Sequence, residues 1–459
     1  MPSQSSFDVV VAGAGAAGVG AALGAAAEGA SVLLVESEST VGGDMLTGLP
    51  ILGAWNSRGE QCVSGILQDL LDEAAAMPGA VIGPVCDWRT VFGLCVCPAA
   101  LQLAIFALLR RRGVVLQLKS TLTGVSCRRR AVAATAICTQ HGTRTFSGGA
   151  VVDATGSGRV VDLMGGTLLA PDEGRRPQPV SLVFRLAGVG FDRFLAFVRD
   201  NPDAALLAEN PVFGVTNTEA AQRLHEGGQP YVALSAGGAL LGGAIARGDV
   251  HPCTAFFITP TSVGRGEVCV NATRVGNSGE DAWHVLTELA EQVSRSAAFL
   301  NLCVPGFEAA TVVSVGHRLG VRETTRVLGE KCLTGKAVLN GRKCPDGVAK
   351  GAHHVDLHGG GTDQVRKPIR EGRSYDIPLG CLIPRKMDNV LVAGRCLSSD
   401  REANGSARVM GTCLATGQAA GVAAALLAGG AGGGKARSID VADVRCRLLA
   451  QGAILDGVH

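Results

Sequence analysis

Aromatic and charged residues are scarce in this sequence, and neither charge sign is in excess. Aromatic side chains occupy 4% and charged side chains 18% of the 459 positions, and 42 Lys+Arg against 40 Asp+Glu give a formal net charge of +2. Because nucleic acid and anionic membranes attract strongly basic proteins, so balanced a chain is not expected to bind either. With 47% hydrophobic residues, the chain is also unlike a disordered protein.

The sequence also lacks the signals of export, membrane insertion and thiol chemistry. Residues 1–6 contain neither a basic start nor an apolar signal core. The long apolar run 409–434 is mostly Ala and Gly and includes Thr412, Thr416 and Gln418, which favours a packed helix over a membrane span. The fifteen cysteines form no C-x-x-C pair, which disfavours disulfide reduction and an intrinsic iron–sulfur cluster. We therefore expect a protein of the reducing cytoplasm.

Glycine, in contrast, is abundant, with 64 residues. Since no Gly-X-Y period accompanies it, the glycine content instead suits a fold in which backbones approach one another or a large ligand closely. Gly417 and Gly421, four apart among small neighbours, predict one narrow helix face that packs closely on the sheet or on the cofactor. The length of 459 residues predicts two domains, or one domain with a large insertion.

The first 36 residues have the pattern of a β-α-β unit. An apolar strand at 7–12 is followed by a small-residue helix at 16–28, which Gly29 ends, and by a second apolar strand at 31–35. Because both strands are continuously apolar, we expect a parallel sheet that is covered on both faces.

A G-x-G-x-x-G loop joins the first strand to the helix and predicts a dinucleotide site. In this motif Gly13 permits the tight turn, Gly15 lets the backbone approach a pyrophosphate, and Gly18 allows close helix–strand packing. The helix N-terminus attracts the phosphates, and Glu36 is placed to bind a ribose diol. These residues alone leave both NAD and FAD as candidates.

Further elements follow from local patterns. The sequence predicts a helix over 98–112, a meander of strands at 122–126, 131–138 and 144–146, a separate buried strand at 151–153, a core helix over 282–300, a long polar loop over 342–373 and a parallel strand at 390–394.

Segments along the whole chain carry a recognisable pattern: 41–45 (Val-Gly-Gly-Asp-Met), 154–158 (Ala-Thr-Gly-Ser-Gly), 320–324 (Gly-Val-Arg-Glu-Thr), 375–378, 389–396, 401–413 and 418–421. In these segments the sequence resembles the bacterial FAD-dependent oxidoreductases of the glutathione-reductase-like class, which are distantly related to fumarate reductase flavoproteins. It departs from that family at Asn404, where histidine is common, and at Ser157, where an acid is usual.

The resemblance implies an α/β protein that binds FAD. It predicts a Rossmann-like FAD-binding domain of the glutathione-reductase type, a parallel sheet with an antiparallel meander, formed by 1–165 and 381–459. An inserted α+β substrate domain with the polar loop would occupy 166–380. The residues predicted to contact FAD are Gly13, Gly15, Ala16, Ala17, Gly18, Glu36, Ser37, Gly42, Gly43, Asp44, Ala154, Thr155, Gly156, Gly394, Arg395, Arg408, Gly411 and Thr412.

The family-like segments 320–324 and 401–413 also contain candidate catalytic residues. A guanidinium fork at Arg322, beside Glu323, would clamp a substrate carboxylate or stabilise charge on the flavin. Arg401 and Glu402 are open to the same interpretation, and for all four residues the alternative is a structural ion pair between the domains. His317 is a candidate base, although a lone histidine is more often structural.

The cluster His353, His354, Asp356 and His358 has little of the character of a metal site, because glycines flank it and no cysteine pair is near. We expect no metal. The resemblance places Asp356 and His358 on the substrate side instead, which makes His358 a further catalytic candidate.

These observations predict an oxidase or dehydrogenase that takes a hydride from a small organic substrate onto flavin N5. Two alternatives stay open: a flavin-dependent reductase of an activated alkene, for which Arg322 and Arg401 would bind a carboxylate, and an electron-transfer subunit that needs a partner. A homodimer and a separate electron acceptor also remain open.

Overall fold

The computed structural model describes residues 5–171, 177–276 and 281–457 and shows a mixed α/β fold. The N-terminal elements are β1 (Ser6–Ala12), α1 (Ala16–Ala27), β2 (Val32–Val35), α2 (Ile66–Ala74), β3 (Val81–Cys86), β4 (Phe92–Val96), α3 (Pro98–Arg111), β5 (Val115–Gln117), β6 (Thr121–Arg128), β7 (Ala131–Thr139), β8 (Gly142–Asp153), α4 (Arg159–Leu163) and β9 (Leu168–Leu169). The middle elements are β10 (Phe184–Ala187), α5 (Phe191–Asp200), α6 (Asn217–Gly227), β11 (Val232–Ser235), α7 (Ala239–Arg247), β12 (Ala255–Ser262), β13 (Glu267–Asn271), α8 (Ala282–Cys303) and β14 (Thr311–Val315). The C-terminal elements are β15 (Arg326–Val327), α9 (Gly335–Leu339), β16 (Gly347–Gly351), β17 (Val355–His358), β18 (Gln364–Lys367), β19 (Tyr375–Pro378), β20 (Val390–Val392), α10 (Arg401–Ala407), α11 (Met410–Ala428) and α12 (Val441–Ala450).

The main sheet has the order β5-β2-β1-β8-β7-β6, and β20 also pairs with β8. Strands β5, β2, β1, β8 and β20 pair in parallel, whereas β6, β7 and β8 form an antiparallel meander. The predicted fold class is therefore confirmed. The strands predicted separately at 144–146 and 151–153 are one strand, β8. The Gly148–Gly149 pair between them does not form a turn. Glycine is needed there for close packing, since a Cβ on Gly149 would lie 3.1 Å from Asp8 O and 2.9 Å from the Cβ of Ala428.

Helices α1 and α11 pack against each other through glycine. A Cβ on Gly417 would lie 2.1 Å from Ala17 O, and one on Gly421 would lie 2.1 Å from Ala21 O. The close packing predicted for this helix face is present, but the glycines contact helix α1, whereas the sequence analysis names the sheet or the cofactor. By length and composition α11 is apolar enough to cross a membrane, but 83% of its most apolar window is buried inside the protein.

The middle of the chain forms a second layer around the antiparallel sheet β11-β12-β13-β10-β14. Helices α5, α6, α7 and α8 pack on this sheet, and Phe184, Phe194 and Phe256 are fully buried in its core. Leu333 and Tyr375, in contrast, belong to the core of the main sheet. We therefore propose that the inserted domain spans about 177–321, whereas the sequence analysis places its bounds at 166 and 380.

The prediction of one long loop over 342–373 is wrong, because the stretch contains β16, β17 and β18. The partner of β16 is β19, which lies outside the stretch. As a lysine, Lys350 of β16 would be expected at the surface. It is only 2% exposed, however, and its Nζ lies 2.7 Å from Asp376 Oδ1 of β19. Local sequence gave no sign of this long-range pairing.

Candidate active site

A cavity of about 570 Å³ lies where the main sheet meets the middle domain. It collects residues from the first β-α-β unit, the middle sheet and the C-terminal segments. The predicted site residues that line it are Gly13, Gly15, Ala16, Ala17, Glu36, Ser37, Gly43, Asp44, Ala154, Thr155, Gly156, Arg322, His358, Gly394, Arg395 and Arg408.

The glycine loop lies at one end of this cavity. Gly13 has φ +92°, and a Cβ there would lie 2.6 Å from Ala154 O, while a Cβ on Gly18 would lie 1.7 Å from Gly13 O. A Cβ on Gly15 would meet nothing within 4 Å in the described part of the chain. Gly13 and Gly18 are therefore needed for backbone packing, and the space beside Gly15, at the N-terminus of α1, fits a pyrophosphate.

Glu36 ends β2 beside this loop and is 7% exposed. Its Oε2 accepts a hydrogen bond from Ala14 N at 2.6 Å, and its Oε1 accepts bonds from Ser37 Oγ and Glu38 N, both at 3.0 Å. These three bonds hold the carboxylate at the cavity wall and leave about one acceptor site open, because an ionised carboxylate accepts about four hydrogen bonds. The arrangement fits the ribose of FAD.

The double-glycine loop packs against Gly15. Gly42 has φ +110° and Gly43 has φ +54°, and a Cβ on Gly43 would lie 3.1 Å from Gly15 Cα. Gly42 N donates to Ala14 O at 2.7 Å, so Gly42 holds the loop without lining the cavity. Asp44 Oδ1 lies 3.5 Å from Arg318 Nε, and neither atom has a hydrogen-bond partner among the described residues.

Arg395 ties three of the family-like segments together. Its Nε donates to Gly156 O at 3.1 Å, and its Nη1 donates to Val321 O. Asn404, where the resembled family commonly has histidine, is 1% exposed and donates from Nδ2 to Arg395 O at 2.8 Å. Asn404 therefore holds the backbone of Arg395 in place.

Gly411 and Thr412 do not line the cavity. Gly411 N donates to Leu52 O at 2.9 Å, and a Cβ on Gly411 would lie 2.7 Å from the same oxygen. Thr412 is fully buried. In their place Met410 and Cys413 of the same helix line the cavity.

Among the catalytic candidates, Arg322 lines the cavity. Its Nη1 donates to Pro179 O and to Ser181 Oγ, both at 2.8 Å. Burial, together with the charges of Arg408 and Arg274, lowers the pKa of Arg322 to about 9.

Glu323 and Arg401 form an ion pair with each other outside the cavity lining. Arg401 Nε lies 2.8 Å from Glu323 Oε1, and Gln178 N donates to Glu323 Oε2 at 3.0 Å. Burial alone would raise the pKa of Glu323, but the hydrogen bonds from Arg401 and Gln178 lower it. His317 is exposed and also lies outside the lining.

His358 lies in a network that fixes both of its ring nitrogens. Asp356 Oδ2 is 2.8 Å from His358 Nε2, and Arg274 Nη2 is 3.0 Å from His358 Nδ1. Since a guanidinium only donates, Nδ1 must accept and Nε2 must carry the proton. Burial lowers the pKa of His358 to about 3, so the ring is neutral and has no free lone pair to act as a base.

His353 and His354 stack in the cavity wall with ring centroids 4.1 Å apart. His353 Nδ1 lies 2.7 Å from His354 O. Because a carbonyl oxygen only accepts, Nδ1 carries the proton and Nε2 carries the lone pair. Burial lowers the pKa of His353 to about 4 and lowers that of His354 well below its usual value. Within the described ranges, no group of three or more His, Cys, Asp or Glu residues could hold a metal ion.

The sequence analysis missed Arg89, Arg274 and Arg318. Arg89 and Arg318 line the cavity, and Arg274 contacts it through His358. These arginines are far apart in the chain and stand in no motif, so only the fold brings them together. The only feature of the sequence that pointed to this part of the cavity was the histidine cluster at 353–358.

Comparison with known protein families matches residues 8–448 to the model described as FAD dependent oxidoreductase. No curated protein matches the sequence. Among solved structures, the chain matches a geranylgeranyl bacteriochlorophyll reductase-like protein from Thermoplasma acidophilum at 14% identity and TM-score 0.44, over 98% of this chain and 85% of that chain. It matches p-nitrophenol 4-monooxygenase from Pseudomonas putida DLL-E4 at 12% identity and TM-score 0.47, over 93% and 80%. It matches the myxobacterial chondrochloren halogenase at 15% identity and TM-score 0.46, over 92% and 74%.

The family match covers the glycine loop, the middle sheet and the C-terminal segments that together enclose the cavity. The chain therefore belongs to the family of FAD-dependent oxidoreductases.

Proposed function

We propose that this enzyme oxidises a small organic substrate at a carbon that bears a hydroxyl or amino group. The observation that carries the proposal is the state of His353, which lines the cavity that fits FAD. Its ring is neutral, its Nδ1 carries the proton, and its Nε2 therefore keeps a lone pair. Loss of a hydride from such a carbon requires that the attached O–H or N–H lose its proton, and a neutral imidazole is suited to accept it.

FAD would be held by the loops around Gly15, Glu36, Gly43 and Gly156. When bound, it supplies at N5 the acceptor for the hydride. The chain itself positions the substrate carbon, removes the proton at His353 Nε2 and excludes water from the cavity.

Arg322 and Arg408 supply positive charge to the same part of the cavity. Arg408 Nη2 donates to Asp356 O at 3.1 Å, and Arg408 Nε is buried without a hydrogen-bond partner in the described residues. These charges would stabilise negative charge that develops during hydride transfer.

The same two arginines favour a second candidate, reduction of an activated alkene. That reaction needs cationic groups that converge on a carboxylate, and Arg322 with Arg408 provides them. Arg401, which the sequence analysis named for this role, is paired with Glu323 instead.

The test is anaerobic addition of hydroxy acids, amino acids, amines and simple alcohols to the purified flavoprotein. Bleaching of the oxidised flavin by one class would support the proposed oxidation and identify the substrate class. If no compound bleaches the flavin, but an enoate reoxidises the dithionite-reduced protein rapidly, the reductase is correct. A flavin indifferent to both would contradict both proposals and favour a partner-dependent subunit.

We also propose a cytoplasmic location, which the fifteen free cysteines support. Cell fractionation tests it. We further propose a homodimer, which analytical sedimentation tests, and a separate electron acceptor, which activity assays with redox dyes test.

A further inference from the structure

Arg89 is a buried cation at the wall of the cavity that the proposed reaction does not use. It lies in the turn between β3 and β4, and its side chain is 7% exposed. In the described residues, its Nε and Nη1 have no hydrogen-bond partner. A buried charged group that lacks such partners is costly, so its retention in a cavity wall points to a ligand.

Both carboxylates near Arg89 are committed to other groups. Asp87 Oδ1 accepts from the backbone N–H groups of Arg89, Thr90 and Val91, and Oδ2 accepts from Thr90 Oγ1. The closest approach of Asp87 Oδ2 to Arg89 Nε is 3.7 Å. Glu209 makes two hydrogen bonds to Arg366, at 2.6 and 2.8 Å, and lies 4.0 Å from Arg89. These carboxylates offset the charge of Arg89 but leave its Nε and Nη1 without hydrogen bonds, while Nη2 donates to Thr90 Oγ1 at 3.5 Å.

The surroundings of Arg89 describe the rest of a binding site. Its guanidinium lies over the ring of Phe257, 5.1 Å from the centroid. Leu49, Pro50 and Val183 line the same cavity and provide an apolar wall. His354 Nδ1 is likewise buried and lacks a hydrogen-bond partner in the part of the chain that the structure describes.

We propose that Arg89 binds the carboxylate of the substrate, and that the cavity takes an organic acid whose apolar body lies along Phe257. The inference rests on the proposed function, because it assigns the substrate class to the same cavity. The guanidinium edge formed by Nη1 and Nη2 matches the two oxygens of a carboxylate, because Nη1 has no partner and Nη2 has only the 3.5 Å contact with Thr90 Oγ1 among the described residues. Such a charge-assisted pair is stronger than a hydrogen bond between neutral groups.

Binding of non-reacting acids to the oxidised flavoprotein tests this assignment. Benzoate, phenylacetate and hexanoate are titrated by calorimetry, each beside its neutral amide. We expect at least one acid to bind at least 10-fold more tightly than its amide. Arg89→Met should weaken that acid about 10-fold or more and leave the amide unchanged, and Arg89→Lys should lose part of the affinity because lysine has no fork.

Arg110→Met is the matched control, because Arg110 is exposed at the end of α3. It should bind the acid as the unmodified protein does. If none of the three acids binds at millimolar concentration, if acid and amide bind equally, or if Arg89→Met binds the acid within twofold of the unmodified protein, the inference is overturned. If Arg89→Met does not fold, the Arg89→Lys comparison decides by the same criterion.

Failure of this inference differs from failure of the proposed function. Acids that bind through Arg89 without any compound bleaching the flavin would keep the subsite and overturn the proposed oxidation. Hydroxy acids that bleach the flavin equally well in the unmodified protein and in Arg89→Met would keep the oxidation and overturn the subsite.

Discussion

His353 and His358 lie five residues apart in one cavity wall, yet their hydrogen bonds give them different chemistry. Nδ1 of His353 donates to a carbonyl, which leaves Nε2 as a base. Both nitrogens of His358 are engaged, by Arg274 and Asp356. His358 therefore acts as a positioning residue that holds the Asp356 carboxylate, and His353 is the candidate base.

Replacement of His353 by Gln should slow reduction of the flavin by substrate about 100-fold or more, because proton removal contributes roughly that factor. Stopped-flow absorbance under anaerobic conditions measures this rate. The content of FAD should stay unchanged. His141→Gln, at an exposed position, is the control. An unaltered rate in His353→Gln would remove this residue from the mechanism.

The pH dependence of the reaction should reflect the buried state of His353. Burial lowers its pKa to about 4, so the imidazole stays unprotonated well below the usual histidine range. The value of kcat/KM should therefore show no fall near pH 6.5 and should decline on the acid side only towards pH 4. An acid limb with a pKa of about 6.5 would assign the base to a more exposed histidine.

Gly15 tests the assignment of the pyrophosphate space. Valine at this position would occupy the room that FAD needs without a clash in the empty chain. We expect Gly15→Val to fold but to purify with little flavin, measured as the ratio of absorbance at 450 nm to that at 280 nm. Gly264→Val is the matched control, since Gly264 is exposed and its Cβ position is open to 4 Å in the described chain. A normal flavin ratio in Gly15→Val would contradict the site.

At the scale of elements, the predictable parts are those with a local pattern. The Gly13–Gly18 loop can be recognised from the sequence because it lies between an apolar strand and a small-residue helix. Its position in the cavity follows from this order of strand, loop and helix. Strand β16 has no such pattern, because its Lys350 is buried only by virtue of Asp376. Arg89 and Arg274 gain their environment from strands that are distant in sequence, so spacing rules could not find them.

The α1–α11 contact gives a stability test. Gly417→Ala would place a Cβ 2.1 Å from Ala17 O, so the helices must separate. Overpacking of this kind costs about 1–3 kcal/mol, which urea unfolding of the holoprotein measures. Gly227→Ala is the control. It lies at the exposed end of α6 with nothing within 4 Å of its Cβ position in the described residues, and should be neutral or slightly stabilising. An equal effect of both changes would contradict close packing.

For the whole molecule, three buried neutral histidines should make stability depend on pH. Burial lowers the pKa of His353 to about 4 and of His358 to about 3, and lowers that of His354 in the same direction. Unfolding returns each to about 6.5, so between pH 6.5 and pH 4 the unfolded chain binds more protons than the native one. Stability is therefore full above pH 6.5 and falls as the pH drops through this window.

The free energy of unfolding from urea titrations at pH 7 and pH 5 measures this loss, which should amount to several kcal/mol, at about 1.4 kcal/mol per pKa unit for each group. In His353→Gln the loss should be smaller, whereas in His141→Gln it should be the same as in the unmodified protein. Equal stability at the two pH values would show that these histidines titrate normally.

The pairing of α1 with α11 also sets an order of events during synthesis. The glycine loop at the start of α1 is made well before the glycine face of α11 that packs on this helix. Until α11 has emerged, α1 has exposed apolar surface and the cavity has no complete wall. We therefore expect that a chain truncated before Met410 retains little flavin and, with apolar surface exposed, is more open to aggregation and proteolysis than the full chain.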